Sequence, residues 1–146
     1  MDPRWSTFGT TLADAAMAQD WNAVHGLLAP WMRKALTPDS VRAFFENAYR
    51  EILAGFDVEE LHHPTEAELD GNSCTLADLR EDPFRPDAPE IADEVTDENF
   101  RKWMHIQLMT SPEQQAELGM DYLASFWLII VELREGLRVG YWAHAD

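Results

Sequence analysis

YLASFWLIIVELREGLRVGYWA, residues 122–143, is the stretch whose reading decides the fold. β-Branched and aromatic side chains fill Tyr122 to Leu133 and Leu137 to Ala143, and Glu135-Gly136 between them supplies the glycine that a tight turn needs. The pattern predicts a long antiparallel hairpin. With Glu135 and Gly136 as the turn, Trp127, Ile129, Val131 and Leu133 share one face with His144, Trp142, Gly140 and Arg138. Leu128, Ile130, Glu132 and Arg134 then share the other with Ala143, Tyr141, Val139 and Leu137. A half-buried strand alternates apolar with polar, and these strands are largely apolar on both faces, so both faces need a cover. Helices can supply one. The second falls to the curl of the sheet, to a long central loop or to a second copy of the chain. A homodimer through the sheet is the expectation, because two-fold dimers are the commonest oligomers and an exposed apolar patch invites one.

Upstream of the hairpin the period changes to that of helices. From Ser6, with Trp5 one turn before, Phe8, Leu12, Ala13, Ala16 and Met17 form one face of a first helix, and Gly9 weakens its first turn. Asp20 caps a second, short helix whose face is Trp21, Val24, Leu27 and Leu28, and Pro30 ends or restarts it. Thr37-Pro38-Asp39-Ser40 joins a capping hydroxyl, a proline at the first helical position and a carboxylate at the positive end of the dipole. A third helix follows, with Val41, Phe44, Phe45, Ala48, Tyr49, Ile52 and Leu53 facing inward and Gly55 just past its end.

The middle of the chain carries weaker signals. Phe56, Val58 and Leu61 suggest a short strand before Pro64. Residues 66–94 show no period, hold Pro83, Pro86 and Pro89, and concentrate acidic side chains, so a long loop is expected there. Residues 101–110 alternate as a strand does, while Phe100, Trp103, Met104 and Gln107 could line a helix; a strand is expected, and Ser111-Pro112 then starts a helix of one or two turns that stops at Gly119. The fold class is therefore α+β, with N-terminal helices packed on a curved antiparallel sheet that ends in the C-terminal hairpin.

Composition bounds the function. At 146 residues one domain, 1–146, is the default, and 46% hydrophobic residues supply a core. The longest apolar run, Phe126 to Val131, falls far short of the ~20 residues of a spanning helix, and the N-terminus has no basic start followed by an apolar run. A cytoplasmic protein with no membrane contact is expected. With 27 acidic against 11 basic side chains, the formal charge of −16 disfavours nucleic acid as a partner. The lone Cys74 can form neither an intrachain disulfide nor a thiolate metal cluster.

Leu12 through Asp20-Trp21 to Leu28-Ala29-Pro30, two helices around Asp-Trp and then a Leu-Leu-x-Pro turn, resembles the opening of the NTF2-like superfamily. Ile129 to Val139, with Gly136 in the turn, resembles its closing hairpin. Many members place a strand between the second and third helices, whereas here Met32 to Leu36 leads straight into the third. The resemblance implies a cone-shaped α+β domain with a pocket between the long helix and the concave sheet, and dimerisation through the outer sheet face. Members include isomerases, cyclases, dehydratases and non-catalytic binding domains, so fold alone does not assign chemistry.

Phe45, Tyr49, Trp127, Tyr141 and Trp142 are the candidate pocket residues. A small apolar ligand or a protein partner would suit them, and no cofactor is implied. An isomerase of this superfamily needs a carboxylate base and a neutral acid such as Tyr, for which Tyr49, Tyr122, Tyr141 and Asp121 are the available parts. No catalytic set is assigned. His62-His63 with Glu66 and Asp70 could offer metal ligands, but adjacent strand histidines point to opposite faces. Asp70 to Glu81 imitates a calcium loop, yet Cys74 and Thr75 stand where a ligand and a glycine are required, so no metal site is expected. His105 and His144 read as edge or core histidines, and His25 as a residue of the second helix. A third function class, an acidic inhibitor of a basic protein, follows from the charge alone.

Overall fold

The computed structural model describes residues 2–55, 64–81, 89–119 and 124–144, and for 49–55, 118 and 124 the backbone alone. The chain is α+β. Helices α1 (Pro3–Met17), α2 (Trp21–Gly26), α3 (Pro30–Ala35) and α4 (Pro38–Gly55) precede β1 (Glu66–Asn72), α5 (Leu76–Glu81), β2 (Phe100–Met109), α6 (Pro112–Leu118), β3 (Ala124–Leu133) and β4 (Gly136–His144). The four strands form one antiparallel sheet in the order β1-β2-β3-β4.

The helix starts are set by local chemistry. Asp2 accepts from the Arg4 amide, so α1 begins at Pro3, before the Ser6 at which its periodicity becomes visible. Asp20 accepts from the Ala23 amide, Thr37 Oγ1 from the Ser40 amide and Ser111 Oγ from the Gln114 amide, each satisfying an amide the helix cannot. Pro30 restarts the chain as α3. His25 Nε2 donates to the Leu36 carbonyl at 2.8 Å, tying α2 to the link before α4. Gly119 ends α6 in the left-handed region at φ 67°.

The segment expected to be a loop contains two elements. β1 alternates exposed Glu66, Glu68 and Asp70 with half-buried Ala67, Leu69 and Gly71, and α5 buries Leu76 and Leu79. The calcium-like stretch is thus a strand followed by a helix. The expected strand over Phe56, Val58 and Leu61 lies outside the described residues.

The hairpin also departs from its expected register. Arg134 and Glu135 form the turn and Leu133 pairs with Gly136, whose φ is 114°. Leu137 pairs with Glu132 and Val139 with Ile130, but Tyr141 pairs with Ile129, so Gly140 is an extra residue, a β-bulge. The bulge reverses the phase of β4. Val139 and Trp142, three residues apart, both face the helices, while Tyr141 and Ala143 face away. Trp142 therefore shares a face with Leu128 and Ile130, not with Ile129. Gly140 is also where Trp31 crosses the strand: its indole Nε1 donates to the Gly140 carbonyl at 3.0 Å. The edge of β4 is strapped by Leu27 to Ala29, with Ala29 N to Val139 O and Val139 N to Leu27 O both at 2.8 Å.

Two hydrophobic layers result. Between helices and sheet lie Phe8, Leu12, Val24, Leu28, Val41 and Phe45 against Met104, Ile106, Phe126, Leu128, Ile130 and Trp142. Gly9, buried in α1, lets the helix approach so closely that a Cβ there would sit 2.5 Å from Leu69 Cδ2 and 2.7 Å from Met104 Sδ. On the outer face Ala29, Leu76, Leu79 and Val95 pack on Trp103, Ile129, Val131 and Tyr141. Arg80 holds this cover, donating to the carbonyls of Ile91, Ala92 and Val95 at 3.0, 3.0 and 2.6 Å. Part of the covering expected from a second copy thus comes from the central segment itself. Among the described residues no helix is long and apolar enough to cross a membrane.

A Cβ on Gly140 would lie 2.7 Å from Val131 Cγ1 and 3.3 Å from Trp31 Cζ2, whereas one on Gly26 meets nothing within 4 Å. Gly140→Ala should cost about 1–3 kcal/mol in urea unfolding through overpacking. Gly26→Ala should be neutral or stabilising by up to about 1 kcal/mol. Equal effects from the two would contradict the crowding at the bulge.

Candidate functional site

The four candidate pocket residues whose side chains are described fall on two opposite faces of the sheet. Phe45, 1% exposed, and Trp142 lie in the helix-side layer with ring centroids 5.8 Å apart. Trp127 and Tyr141 lie on the opposite face of the sheet. Tyr49 is in α4 one turn beyond Phe45, and its side chain is outside the described residues.

Aromatic rings occupy the space under α4. Phe44 stacks on Trp142 at 4.3 Å, Phe45 meets Phe126 edge-on at 5.3 Å, and Trp21 stacks on Phe45 at 5.4 Å. Such offset-stacked and edge-to-face pairs contribute about 0.5–1.5 kcal/mol each beyond their burial. His144 closes the row: its ring lies 4.1 Å from Phe44 and its Nε2 donates to the Phe44 carbonyl at 2.6 Å. As far as Ala48, this inner space is built from side chains packed on one another. Among the described residues no carboxylate is buried.

The outer face gathers different chemistry. In an antiparallel sheet, side chains of matched register stand beside each other across strands. Asp70 of β1 is the register partner of His105 on β2, and His105 is the partner of Trp127 on β3. Trp127 stacks on the His105 ring at 4.5 Å and on Trp103 at 5.0 Å, so the three rings form one column. His105 Nε2 is hydrogen-bonded to Ser125 Oγ, and Ser125 is 7% exposed. Burial lowers the His105 pKa from its ordinary 6.5, while the Asp70 carboxylate raises it in opposition. Nearby, Tyr141 donates its hydroxyl to the Pro89 carbonyl at 2.8 Å, and burial raises its pKa above 10.0.

Electrostatics elsewhere is structural. Glu132 accepts from Arg101 at 2.9 Å and from Arg4 at 3.3 Å, and the Arg101 hydrogen bond holds its carboxyl below the usual range. These exposed pairs pin the hairpin to α1 and β2 and contribute little each. Among the described residues no group of three or more His, Cys, Asp and Glu side chains could hold a metal ion. His62 and His63 lie outside the described residues.

Asp70, His105 and Ser125 were not legible as a group. His105 and Ser125 are 20 residues apart and meet only through the β2–β3 register. The available signal was the matching parity of two neighbouring strands, usable only once the pairing is known. No family model, characterised protein or solved structure matches the chain.

Because the His105 pKa is lowered on folding, the unfolded chain binds its proton more tightly. Stability from this group is full above about pH 6.5 and declines as the pH falls from there toward the lowered value. Urea midpoints at pH 7.5 and 5.5 should therefore differ less in His105→Gln than in the parent chain. An unchanged difference would show that His105 does not titrate in this way.

Proposed function

We propose that this chain is an NTF2-like domain that acts by binding a protein partner of opposite charge, without catalysis in an interior pocket. The observation that carries this reading is the interlocked ring layer of Phe44, Phe45, Phe126 and Trp142 where the superfamily's pocket would lie. A small-molecule enzyme of this kind needs a hollow lined by an acid and a base. The described side chains beneath α4, as far as Ala48, are apolar and packed on one another, which supports this reading. The run of four antiparallel strands after the long helix, and the strap of Leu28 beside the last strand, agree with the superfamily resemblance. The formal charge of −16, with exposed Glu66, Glu68 and Asp70 in a row on β1, supports a basic partner.

The interior reading is tested with an apolar fluorescent probe. The parent chain should take up no stoichiometric probe in its native state. Phe45→Ala should bind it in the new cavity while losing about 3–5 kcal/mol of stability. Stoichiometric native uptake by the parent, abolished by a larger side chain at Ala48, would overturn the reading. The electrostatic part is tested by salt: a purified partner bound at low ionic strength should dissociate steeply as salt rises, and affinity indifferent to salt would exclude a charge-led interface.

A further inference from the structure

Three neighbouring strands place a carboxylate, an imidazole and a hydroxyl side by side on the outer face, away from the packed interior. Asp70 stands across the β1–β2 pair from His105, and His105 Nε2 is hydrogen-bonded to Ser125 Oγ across the β2–β3 pair. A serine hydroxyl is a weak nucleophile until an adjacent base removes its proton. Ser125 can donate to His105 only if Nε2 is the acceptor, which puts the proton of the neutral ring on Nδ1. Burial keeps the ring a free base at neutral pH, and the Asp70 field favours the imidazolium once it forms. The stack on Trp127 at 4.5 Å fixes the plane of the ring.

The surroundings supply the other parts of an acyl-transfer site. Gln107 is the register partner of Ser125 on the same face, which brings their Cβ atoms to about 4.5–5.5 Å and puts a carboxamide donor beside the hydroxyl. The half-buried Trp127, stacked on both His105 and Trp103, offers its ring edge as an apolar surface next to the pair. A planar aromatic group suits that surface better than a charged one.

We propose that Ser125 is an activated nucleophile and that the His105–Ser125 pair hydrolyses small aryl esters. Ser125 Oγ bonds to the ester carbonyl carbon as its proton passes to His105 Nε2, and the Gln107 amide donates to the developing oxyanion. Collapse breaks the bond from carbon to the aryl oxygen, which leaves with the proton from Nε2. Water then adds to the acyl group on Ser125 while giving a proton to Nε2, and the second collapse returns that proton to Ser125 Oγ and releases the acid. Asp70 is a positioning residue, acting through the imidazole.

The test combines release of p-nitrophenolate from p-nitrophenyl acetate with labelling by a fluorophosphonate and mass-spectrometric mapping of the adduct. The parent chain should carry the adduct on Ser125. Ser125→Ala should lose the label and the hydrolysis above background. His105→Gln should reduce hydrolysis roughly a hundredfold and abolish the acid limb of the pH–rate profile, whose inflection in the parent lies below 6.5. Asp70→Asn should lower hydrolysis by roughly tenfold and move that inflection lower, a shift that loss of packing alone does not produce. A folded parent chain that takes no label, a label mapped elsewhere, or Ser125→Ala hydrolysing as fast as the parent overturns the proposal. Should Ser125→Ala fail to fold, the map of the parent adduct decides. None of these outcomes bears on the packed interior, so the partner-binding reading stands or falls separately.

Discussion

A β-ribbon apolar on both sides cannot stand in water on either side, and the β3–β4 hairpin is such a ribbon. Phe126, Leu128 and Ile130 point to one side and Ile129 and Val131 to the other, all essentially inaccessible. Full burial of a large apolar side chain contributes about 1.5–3 kcal/mol, so leaving either side open would forfeit much of a typical domain's net stability. The remaining elements can be understood as answers to that demand. The faces of α1, α2 and α4 meet the first side. Ala29, α5 and the turn around Val95 meet the second, locked by the Arg80 guanidinium and the Tyr141 hydroxyl.

Gly140 reconciles the two coverings. A regular β4 would put Leu137, Val139, Tyr141 and Ala143 on one side, sending Trp142 outward, away from Phe44 and Phe45. One extra residue changes the parity partway along, so an aliphatic half and an aromatic half can serve different neighbours. The same position lies under the indole of Trp31, whose hydrogen bond satisfies the bulge carbonyl, a group that sheet pairing leaves exposed to burial without a partner.

What could be read from the chain follows from how local each determinant is. The starts of α2, α4 and α6 were legible because Asp20, Thr37 and Ser111 act on amides three residues away. β2 was less so, because its alternation competes with a helical face of Phe100, Trp103, Met104 and Gln107. β1 was not, because Glu-Ala-Glu-Leu-Asp-Gly-Asn is poor in strand-forming residues and is a strand only through its pairing with β2 and the cover of α1. The turn of the hairpin was misplaced by one residue, and the bulge was invisible because Gly140 is fixed by its contacts with Trp31 and Val131. The same limit hid the side-by-side placement of His105 and Ser125, which is a property of register alone. It also let Trp127 and Tyr141 be grouped with Phe45 and Trp142 across the thickness of the sheet.

The strap formed by Leu27 to Ala29 reaches across almost the whole chain to Val139. During synthesis α1 to α4 are made before any of the four strands, so the sheet that their apolar faces cover follows them. Domains commonly consolidate as units, and here the pairing of Leu27 and Ala29 waits for Val139 on β4, the last of the described strands. A product cut before β4 would leave Leu28 without the strand it lines and present that apolar edge to the cell's chaperones and proteases instead of a smaller folded core.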